Sequence, residues 1–411
     1  MIHYERFTLE NGLRVLVHED KSTPMAVLDV LYDVGARDED PSRTGFTHLF
    51  EHLMFGGSIH IPSYDEALQI AGGENNAYTT NDLTNYYLQL PEQNLETAFW
   101  LESDRMLSLA FSEHSLEVQR KVVVEEFKEH YLNKPYGDVW HKLRALAYKV
   151  HPYQWMTIGK ELRHVEEATL QDVKAFFATH YSPSNAILVV AGNVTVDRVR
   201  TLAEKWFGPI PAGKKYQRNL PVEPPQKEPA FQEVKAKVPL DALYKCWHIG
   251  SRTDENYHTT ELITEILGGG ASSRLYQKLV KENQLFSNID CGHFGSTDPG
   301  LLYITGKLVR GVSIEAGEKA IAEELQWIKQ DLVKTSELEK VKNKSESMIA
   351  FEDVSLINRA NSLAIYELLG NAEMINEELG KYRAVTAEQI RDLSRRIFVD
   401  ENCSTLYYRA A

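Results

Sequence analysis

Short runs of aliphatic and β-branched residues alternate with longer amphipathic stretches along the chain. Residues 13–18 (Leu-Arg-Val-Leu-Val-His) and residues 186–191 (Ala-Ile-Leu-Val-Val-Ala) are typical of strands. The stretches between such runs carry apolar residues at helical spacing. Because the strands cluster at the ends of each half of the chain, the pattern predicts an α+β fold in which each half is an antiparallel-rich sheet covered by helices.

The second half of the chain repeats the pattern of the first. A predicted helix, a short loop with an asparagine and a β-rich run occur near residues 168–192 and again near residues 385–408. The two asparagines, Asn185 and Asn402, are 217 residues apart. A strand that leads into Gly-x-Arg also occurs twice, and its glycines, Gly35 and Gly250, are 215 residues apart. This shared spacing predicts two homologous halves.

The join between the halves is rich in proline. Five of the residues from 209 to 225 are proline, which removes backbone donors that a helix or a central strand needs. We therefore predict a stiff, extended linker at residues 211–234. The expected domains are residues 1–210 and residues 235–411.

Composition limits the classes of partner. The chain has 411 residues and a formal net charge of −14, and it lacks the basic patch that nucleic-acid binding requires. No apolar run approaches 18 residues, so no membrane span is expected. Residues 1–7 do not resemble a signal peptide, which favours a cytoplasmic location; a periplasmic or organellar location would require a leader that has been removed. The three cysteines are widely spaced and are expected to be reduced core thiols; they are Cys246, Cys291 and Cys403.

Residues 48–52 read His-Leu-Phe-Glu-His, the H-x-x-E-H pattern, which is the inverse of the H-E-x-x-H zinc motif. On a helix, His48 and His52 leave the same face one turn apart and can bind one Zn²⁺. Glu51 is close enough to reach a water on that metal and to accept its proton. Only the first half carries this pair, since residues 261–270 stand at the matching place in the second half. We therefore predict that residues 1–210 form the zinc-bearing catalytic domain and residues 235–411 a non-catalytic one.

The residues around the motif predict a short apolar helix. Residues 44–47 (Thr-Gly-Phe-Thr) precede it and residues 53–57 (Leu-Met-Phe-Gly-Gly) follow, so we expect a Thr or Ser cap at the start and a glycine stop at the end. The five-residue H-x-x-E-H pattern itself can arise by chance, and two histidines on a helix can be ordinary surface residues. A charged glutamate between two histidines on an apolar helix is costly unless a metal compensates it, and this favours the zinc site.

A catalytic zinc site usually has a third protein ligand. Residues 117–130 are predicted to form a long helix that offers three acidic candidates, Glu125, Glu126 and Glu129. Val122, Val123 and Phe127 are expected on its inner face, which turns Glu126 toward the core and makes it the preferred ligand. Glu125 remains an alternative, whereas Glu129 is expected on a solvated face.

Three features together resemble one family. The H-x-x-E-H motif, the downstream Val-Val-Val-Glu-Glu at residues 122–126 and the segment Gly-Gly-Glu-Asn-Asn-Ala-Tyr-Thr at residues 72–79 are similar to those of the pitrilysin-type zinc metallopeptidases, the inverzincins. The resemblance covers essentially the whole chain, including the repeat. In size the chain is similar to the short-chain branch, which includes the mitochondrial processing peptidase and bacterial zinc peptidases.

The resemblance implies a role for each matching residue. His48, His52 and Glu126 would bind Zn²⁺, and Glu51 would be the general base. Four residues would form an edge strand that pairs with an extended peptide substrate, as in β-augmentation; they are Asn76, Ala77, Tyr78 and Thr79. A plain strand after a Gly-Gly turn is the alternative for this segment.

The chain departs from the family pattern at three positions. Gln119 stands where the family has an acidic residue, and its neutral amide would support the zinc ligands with less charge. Val280 and Ser287 stand where the family has an Arg and a Tyr that contact the substrate carbonyl, and neither can replace those donors. Some short-chain members divide these parts between two subunits, so the resemblance implies a homodimer or a heterodimer with an Arg/Tyr-bearing relative.

We therefore expect a zinc metalloendopeptidase that hydrolyses peptides or unfolded segments. The main alternative is a non-catalytic or partner-dependent subunit of a heterodimeric pitrilysin-type complex, acting as a scaffold or binding protein. A zinc hydrolase of non-peptide substrates is a weaker alternative, because the predicted edge strand suits peptides.

Overall fold

The computed structural model describes residues 1–411, which form eleven strands and fourteen helices joined by loops and short 3₁₀ and π-helical turns. The strands are β1 (Glu5–Thr8), β2 (Arg14–Glu19), β3 (Met25–Tyr32), β4 (Glu74–Thr79), β5 (Thr84–Pro91), β6 (Ala186–Gly192), β7 (Ala230–Ala236), β8 (Ala242–His248), β9 (Phe286–Phe294), β10 (Leu301–Leu308) and β11 (Cys403–Ala410). The helices are α1 (Phe46–Leu53), α2 (Tyr64–Ile70), α3 (Leu95–Leu107), α4 (Glu113–Phe127), α5 (Val139–Ala147), α6 (Leu162–Glu166), α7 (Leu170–His180), α8 (Val196–Trp206), α9 (Tyr257–Gly268), α10 (Ile314–Gln330), α11 (Thr335–Glu352), α12 (Leu356–Leu368), α13 (Met374–Ala384) and α14 (Ala387–Ile397).

The first sheet has six strands in the order β1-β2-β6-β3-β5-β4. All neighbours are antiparallel except β2 and β6, which run parallel. All seven residues of β6 are buried, as expected for a central strand that is covered on both faces. β4 lies at one edge of this sheet, with one side of its backbone unpaired by any other strand.

The second sheet has five strands in the order β7-β11-β8-β10-β9. This order corresponds strand by strand to β2-β6-β3-β5-β4, and the outer pair β7 and β11 is again parallel. Helices cover both sheets, so the predicted α+β fold with two homologous, antiparallel-rich halves is confirmed.

The repeat extends to individual hydrogen bonds. The side chain of Asn185 donates to the carbonyls of His180 and Asp33, at 2.9 and 3.2 Å. The side chain of Asn402 donates to the carbonyls of Ile397 and His248, at 3.1 and 3.0 Å, at the same places in the second half. The helices before these loops, α7 and α14, both begin with a threonine capping box. Each half therefore holds its helix–loop–strand unit with the same contacts.

Two compact units are present, and each is made of three chain segments. The first unit contains Met1–Lys128, Trp155–Leu220 and Ala350–Glu377. The second unit contains Glu129–Gln154, Pro221–Ile349 and Glu378–Ala411. The change of unit between Leu220 and Pro221 falls inside the predicted linker, and the last five residues of that linker, 230–234, belong to β7.

The halves of the chain therefore exchange helices. α12, from the second half, packs on the first sheet through residues such as Leu356, Ala360 and Leu363. α5, from the first half, packs on the second sheet through Val139 and Leu143. The division predicted at residues 1–210 and 235–411 does not include this exchange, because the apolar face of a helix does not identify the sheet that covers it.

All three cysteines are buried and unpaired, as the sequence predicts for core thiols. None of the helices is both long enough and apolar enough to cross a membrane.

A buried carboxylate lies between the first sheet and α12. Asp29, in β3, is fully buried, and its Oδ2 accepts a hydrogen bond from Asn85 Nδ2 at 3.0 Å. The other oxygen, Oδ1, has no hydrogen-bond partner. Burial raises the pKa of Asp29 to about 7, although the bond from Asn85 opposes the shift.

Replacing Asp29 should stabilise the protein in a pH-dependent way. The folded-state pKa is about 7 and the ordinary value is 3.8, so wild-type stability falls as the pH rises through this interval. Asp29→Asn should therefore raise the free energy of unfolding relative to wild type, by on the order of 4 kcal/mol at pH 8 and by less at pH 5. Urea unfolding at the two pH values measures this difference.

Asp20→Asn is a control of opposite sign. Hydrogen bonds from Ser22 and Arg359 lower the pKa of Asp20, so its loss should destabilise the protein at pH 8. An equal gain from Asp29→Asn at both pH values would show that this carboxyl does not titrate in that range.

Candidate metal centre

α1 separates its apolar and polar side chains. The apolar residues are buried; they are Phe46, Leu49, Phe50 and Leu53. His48, Glu51 and His52 leave the other face, half-buried, and the two imidazole ring centres are 4.9 Å apart. The spacing i, i+3 and i+4 is thus realised as one cluster on one helix face.

Glu126, near the end of α4, completes the cluster. Its Oε2 is 3.2 Å from His48 Nε2 and 3.5 Å from His52 Nε2. One possible ligand atom from each of the three residues lies within 4.8 Å of the other two. A tetrahedral zinc site with bonds of about 2.0–2.1 Å keeps its ligand atoms roughly 3.3 Å apart, so this donor set fits such an ion in both chemistry and spacing.

The other acidic candidates point elsewhere. The Glu125 side chain is 72% exposed and pairs with Lys128 at 2.8 Å, whereas the Glu126 side chain is 34% exposed. Glu129 lies exposed in the π-helical turn that follows α4. Gln119 is half-buried and precedes Glu126 by two helical turns on the same face.

The predicted inner face of α4 was partly wrong. Val123 and Phe127 are buried as expected, but Val122 is 45% exposed, and Val124 is buried in its place. A run of three valines gives no periodicity of its own, so the packing partner decides which of them face inward.

The electrostatics of the cluster favour positive charge. Burial opposes protonation of His48, but the carboxylates of Glu126 and Glu51 outweigh it and raise the pKa of His48 to about 9. Hydrogen bonds from His48 and His52 hold the pKa of Glu126 well below its usual range. Carboxylates thus lie against the imidazoles, an arrangement of charge that suits a divalent cation as well as a proton.

Glu51 connects the histidines to the edge strand. Its Oε2 is 3.8 Å from His48 Nδ1, and α1 packs against β4. Burial raises the pKa of Glu51, but the imidazole of His48 and the hydroxyl of Thr79 together lower it, so the carboxyl is ionised at neutral pH.

The four predicted substrate-binding residues, Asn76, Ala77, Tyr78 and Thr79, lie in β4 at the edge of the first sheet. Their side chains alternate between the two faces. Thr79 lies beside Glu51, whereas Tyr78 packs with the core residues beneath α12. The Ala77 N–H donates to the side chain of Asn76 at 2.8 Å.

The start of α1 differs from the sequence prediction. The N-cap residue is Gly45, which has φ +88° and no side chain to accept a hydrogen bond, so the expected Thr or Ser cap was wrong. A Cβ at Gly45 would lie 2.6 Å from the carbonyl oxygen of Ile158, so only glycine fits there. The preceding Thr44 is anchored by His164, whose Nδ1 is 3.2 Å from its backbone nitrogen and 2.9 Å from its hydroxyl.

Sequence reasoning missed Glu39, a buried carboxylate that contacts the start of α1. An acidic residue close to a helix start is a known signal, but Glu39 lies six residues before the N-cap, where no spacing rule identifies it. The path of the loop between Glu39 and Gly45 brings the Glu39 side chain back to the start of α1.

In the second unit, Val280 lies in the π-helical turn Tyr276–Glu282 and is half-buried against the core. Ser287, in β9, is exposed and donates to the carbonyl of Lys307 at 3.0 Å.

Family models match both halves of the chain. The model described as Insulinase (Peptidase family M16) matches residues 14–160. The model described as Peptidase M16 inactive domain matches residues 167–345. Together they cover most of the sequence.

Individual relatives agree with this result. The zinc protease PqqE of Helicobacter pylori is 27% identical over 415 residues, covering 99% of this chain and 93% of the relative. A probable mitochondrial-processing peptidase subunit beta of Arabidopsis thaliana is 29% identical over 202 residues, covering 49% of this chain and 38% of the relative.

The fold is also similar to that of a solved protease from Helicobacter pylori, with a TM-score of 0.93, 26% identity and 100% of both chains covered. The predicted resemblance to pitrilysin-type zinc peptidases is thereby confirmed. Since models of one family match both halves and the structural match extends over the whole chain, this protein belongs to peptidase family M16.

Proposed function

We propose that this protein is a zinc-dependent endopeptidase that hydrolyses peptides or unfolded segments. The observation that carries the proposal is the convergence of His48, His52 and Glu126 within 4.8 Å, with the ionised Glu51 on the same helix face. The zinc proteases among its relatives support the same reaction class.

The two imidazoles and the Glu126 carboxylate would hold Zn²⁺. When bound, zinc lowers the pKa of a coordinated water to about 7 and polarises a carbonyl oxygen. The amide of Gln119, two turns before Glu126, would orient the neighbouring ligands with less charge than a carboxylate supplies.

Glu51 would be the general base. It is ionised at neutral pH, so its carboxylate is free to accept a proton from water. It follows His48 by three residues, so the helix holds its carboxylate on the same face as the imidazoles. The hydroxyl of Thr79, in the edge strand, lies near enough to help lower the pKa of Glu51.

β4 would bind the substrate. An extended peptide can add to the free edge of this strand by backbone hydrogen bonds, which select an extended conformation more than a sequence. The Ala77 N–H, which donates to Asn76, is a group that a substrate carbonyl would engage. Because Thr79 is in the same strand and lies beside Glu51, a peptide on β4 would pass close to the base.

A partner-dependent subunit is the second candidate function. It is favoured by Val280 and Ser287, which supply neither a guanidinium nor a phenol, and by the match of residues 167–345 to a domain described as inactive. In this case an Arg/Tyr-bearing related subunit would complete the activity in a heterodimer, or the chain would serve as a scaffold.

Peptide cleavage tests the first candidate. The purified chain loaded with zinc should cleave a mixed set of quenched fluorescent peptides, and a chelator should abolish the cleavage. Glu51→Gln should retain zinc and lower kcat by roughly 10²- to 10⁴-fold, as expected for the loss of a general base. Bound zinc without cleavage by the wild type would instead favour the partner-dependent subunit.

A pair of adjacent substitutions tests the third ligand. Glu126→Gln should lose zinc, measured by metal content after dialysis, whereas Glu125→Gln should bind it like the wild type. In the zinc-free protein, NMR titration should show the pKa of His48 falling from about 9 toward 6.5 in Glu126→Gln only. Full zinc retention in Glu126→Gln would contradict the assignment.

A further inference from the structure

Glu39 is a buried carboxylate that uses both of its oxygens at the start of α1. Oε2 accepts a hydrogen bond from the backbone N–H of Gly45 at 2.9 Å. Oε1 accepts from the backbone N–H and from the hydroxyl of Thr47, each at 2.8 Å. The side chain thereby supplies the cap that Gly45, which has no side chain, cannot provide.

α1 depends strongly on such a cap. It has eight residues, a length at which an isolated helix is not stable in water. Its first turn begins at a residue in the left-handed conformation, and its free N–H groups form the positive end of the helix dipole. Glu39 satisfies two backbone donors at this end. Burial raises its pKa to about 7, although these hydrogen bonds oppose the shift, and its ionised form also offsets the dipole.

The capped turn carries one of the metal ligands. Thr47, which donates two of the three hydrogen bonds, directly precedes His48, the third residue of the helix. His52 lies in the following turn, so fraying of the first turn would move His48 away from both His52 and Glu126. The contact between Glu126 and His48 is also the shorter of the two, at 3.2 Å against 3.5 Å.

We propose that Glu39 is a positioning residue, which holds the first turn of α1 and so keeps His48 in place to bind the metal together with His52 and Glu126. This role rests on the proposed zinc peptidase function. It requires no contact between Glu39 and the metal or the substrate.

Zinc affinity is the first test. In Glu39→Gln the side chain keeps its size and one acceptor oxygen. Its NH₂ group faces one of the N–H donors, so that part of the cap is lost. Competition with a chelator should show zinc binding weakened by about 10- to 100-fold, the usual effect of losing a group that orients a ligand. Thr47→Val, which removes only the hydroxyl contact, should weaken it less.

The steady-state constants separate positioning from substrate binding. Glu39 contacts the start of α1 and not β4, so Glu39→Gln should lower kcat at limiting zinc and leave KM for a peptide unchanged. Saturating zinc should restore much of kcat, because metal binding then stabilises the first turn. A raised KM with normal zinc affinity would overturn the proposal.

Thr195→Ala is the matched control. Thr195 caps α8, another helix of the first unit, by accepting a hydrogen bond from the N–H of Arg198. Its loss should lower Tm without changing zinc affinity or KM. If both variants lower Tm and neither changes zinc affinity, Glu39 has only a structural role and the proposal is wrong.

Amide hydrogen exchange keeps the result distinct from a failure of the proposed function. In the zinc-free protein, the amides of α1 should exchange faster in Glu39→Gln than in wild type or in Thr195→Ala. A wild type that binds no zinc would refute the zinc peptidase and with it the metal-positioning role. Unchanged exchange in α1 would refute the cap itself, whatever the wild type binds.

Discussion

The contact of Glu126 with His48 and His52 joins two helices whose contributing residues lie 78 and 74 positions apart in the chain. Three ionisable side chains share a partly buried space there. Removing each of them from water costs free energy, and the opposite charge of the neighbours offsets that cost. The packing of α4 against α1 is therefore tied to the chemistry of the cluster. Within α1, His48 also helps to lower the pKa of Glu51.

The scaffold is duplicated, but the site is not. Asn185 and Asn402 make matching hydrogen bonds, and the two sheets share a strand order. These contacts hold the backbone and work equally well in both units. The cluster of His48, His52 and Glu126 occurs once, because it depends on particular side chains of α1 and α4 that the second half does not repeat. The proposed function thus rests on a set of side chains that stands on one copy of a repeated fold.

Local patterns predicted much of this architecture. Strand runs, the Asn loops and the helical spacing of the H-x-x-E-H motif depend on neighbours in the chain, and the structure agrees with them. The errors arose where a distant segment decides the outcome. The buried face of α4 excludes Val122 because of what packs on it, and the cap of α1 comes from Glu39 instead of an adjacent Thr or Ser. The exchange of α5 and α12 between the halves of the chain has a similar cause, since the apolar face of a helix does not identify the sheet that covers it.

By itself, the sequence determined the α+β class, the internal repeat, the family and the helix face shared by His48, Glu51 and His52, because each follows from spacing along the chain. The tertiary structure decided that Glu126 and not Glu125 faces these histidines, that β4 is an edge strand with Thr79 beside Glu51, and that Glu39 reaches the start of α1. These outcomes depend on which helices pack together and on the path of the loops between them. The contacts involved join residues far apart in the chain, so local sequence patterns do not specify them.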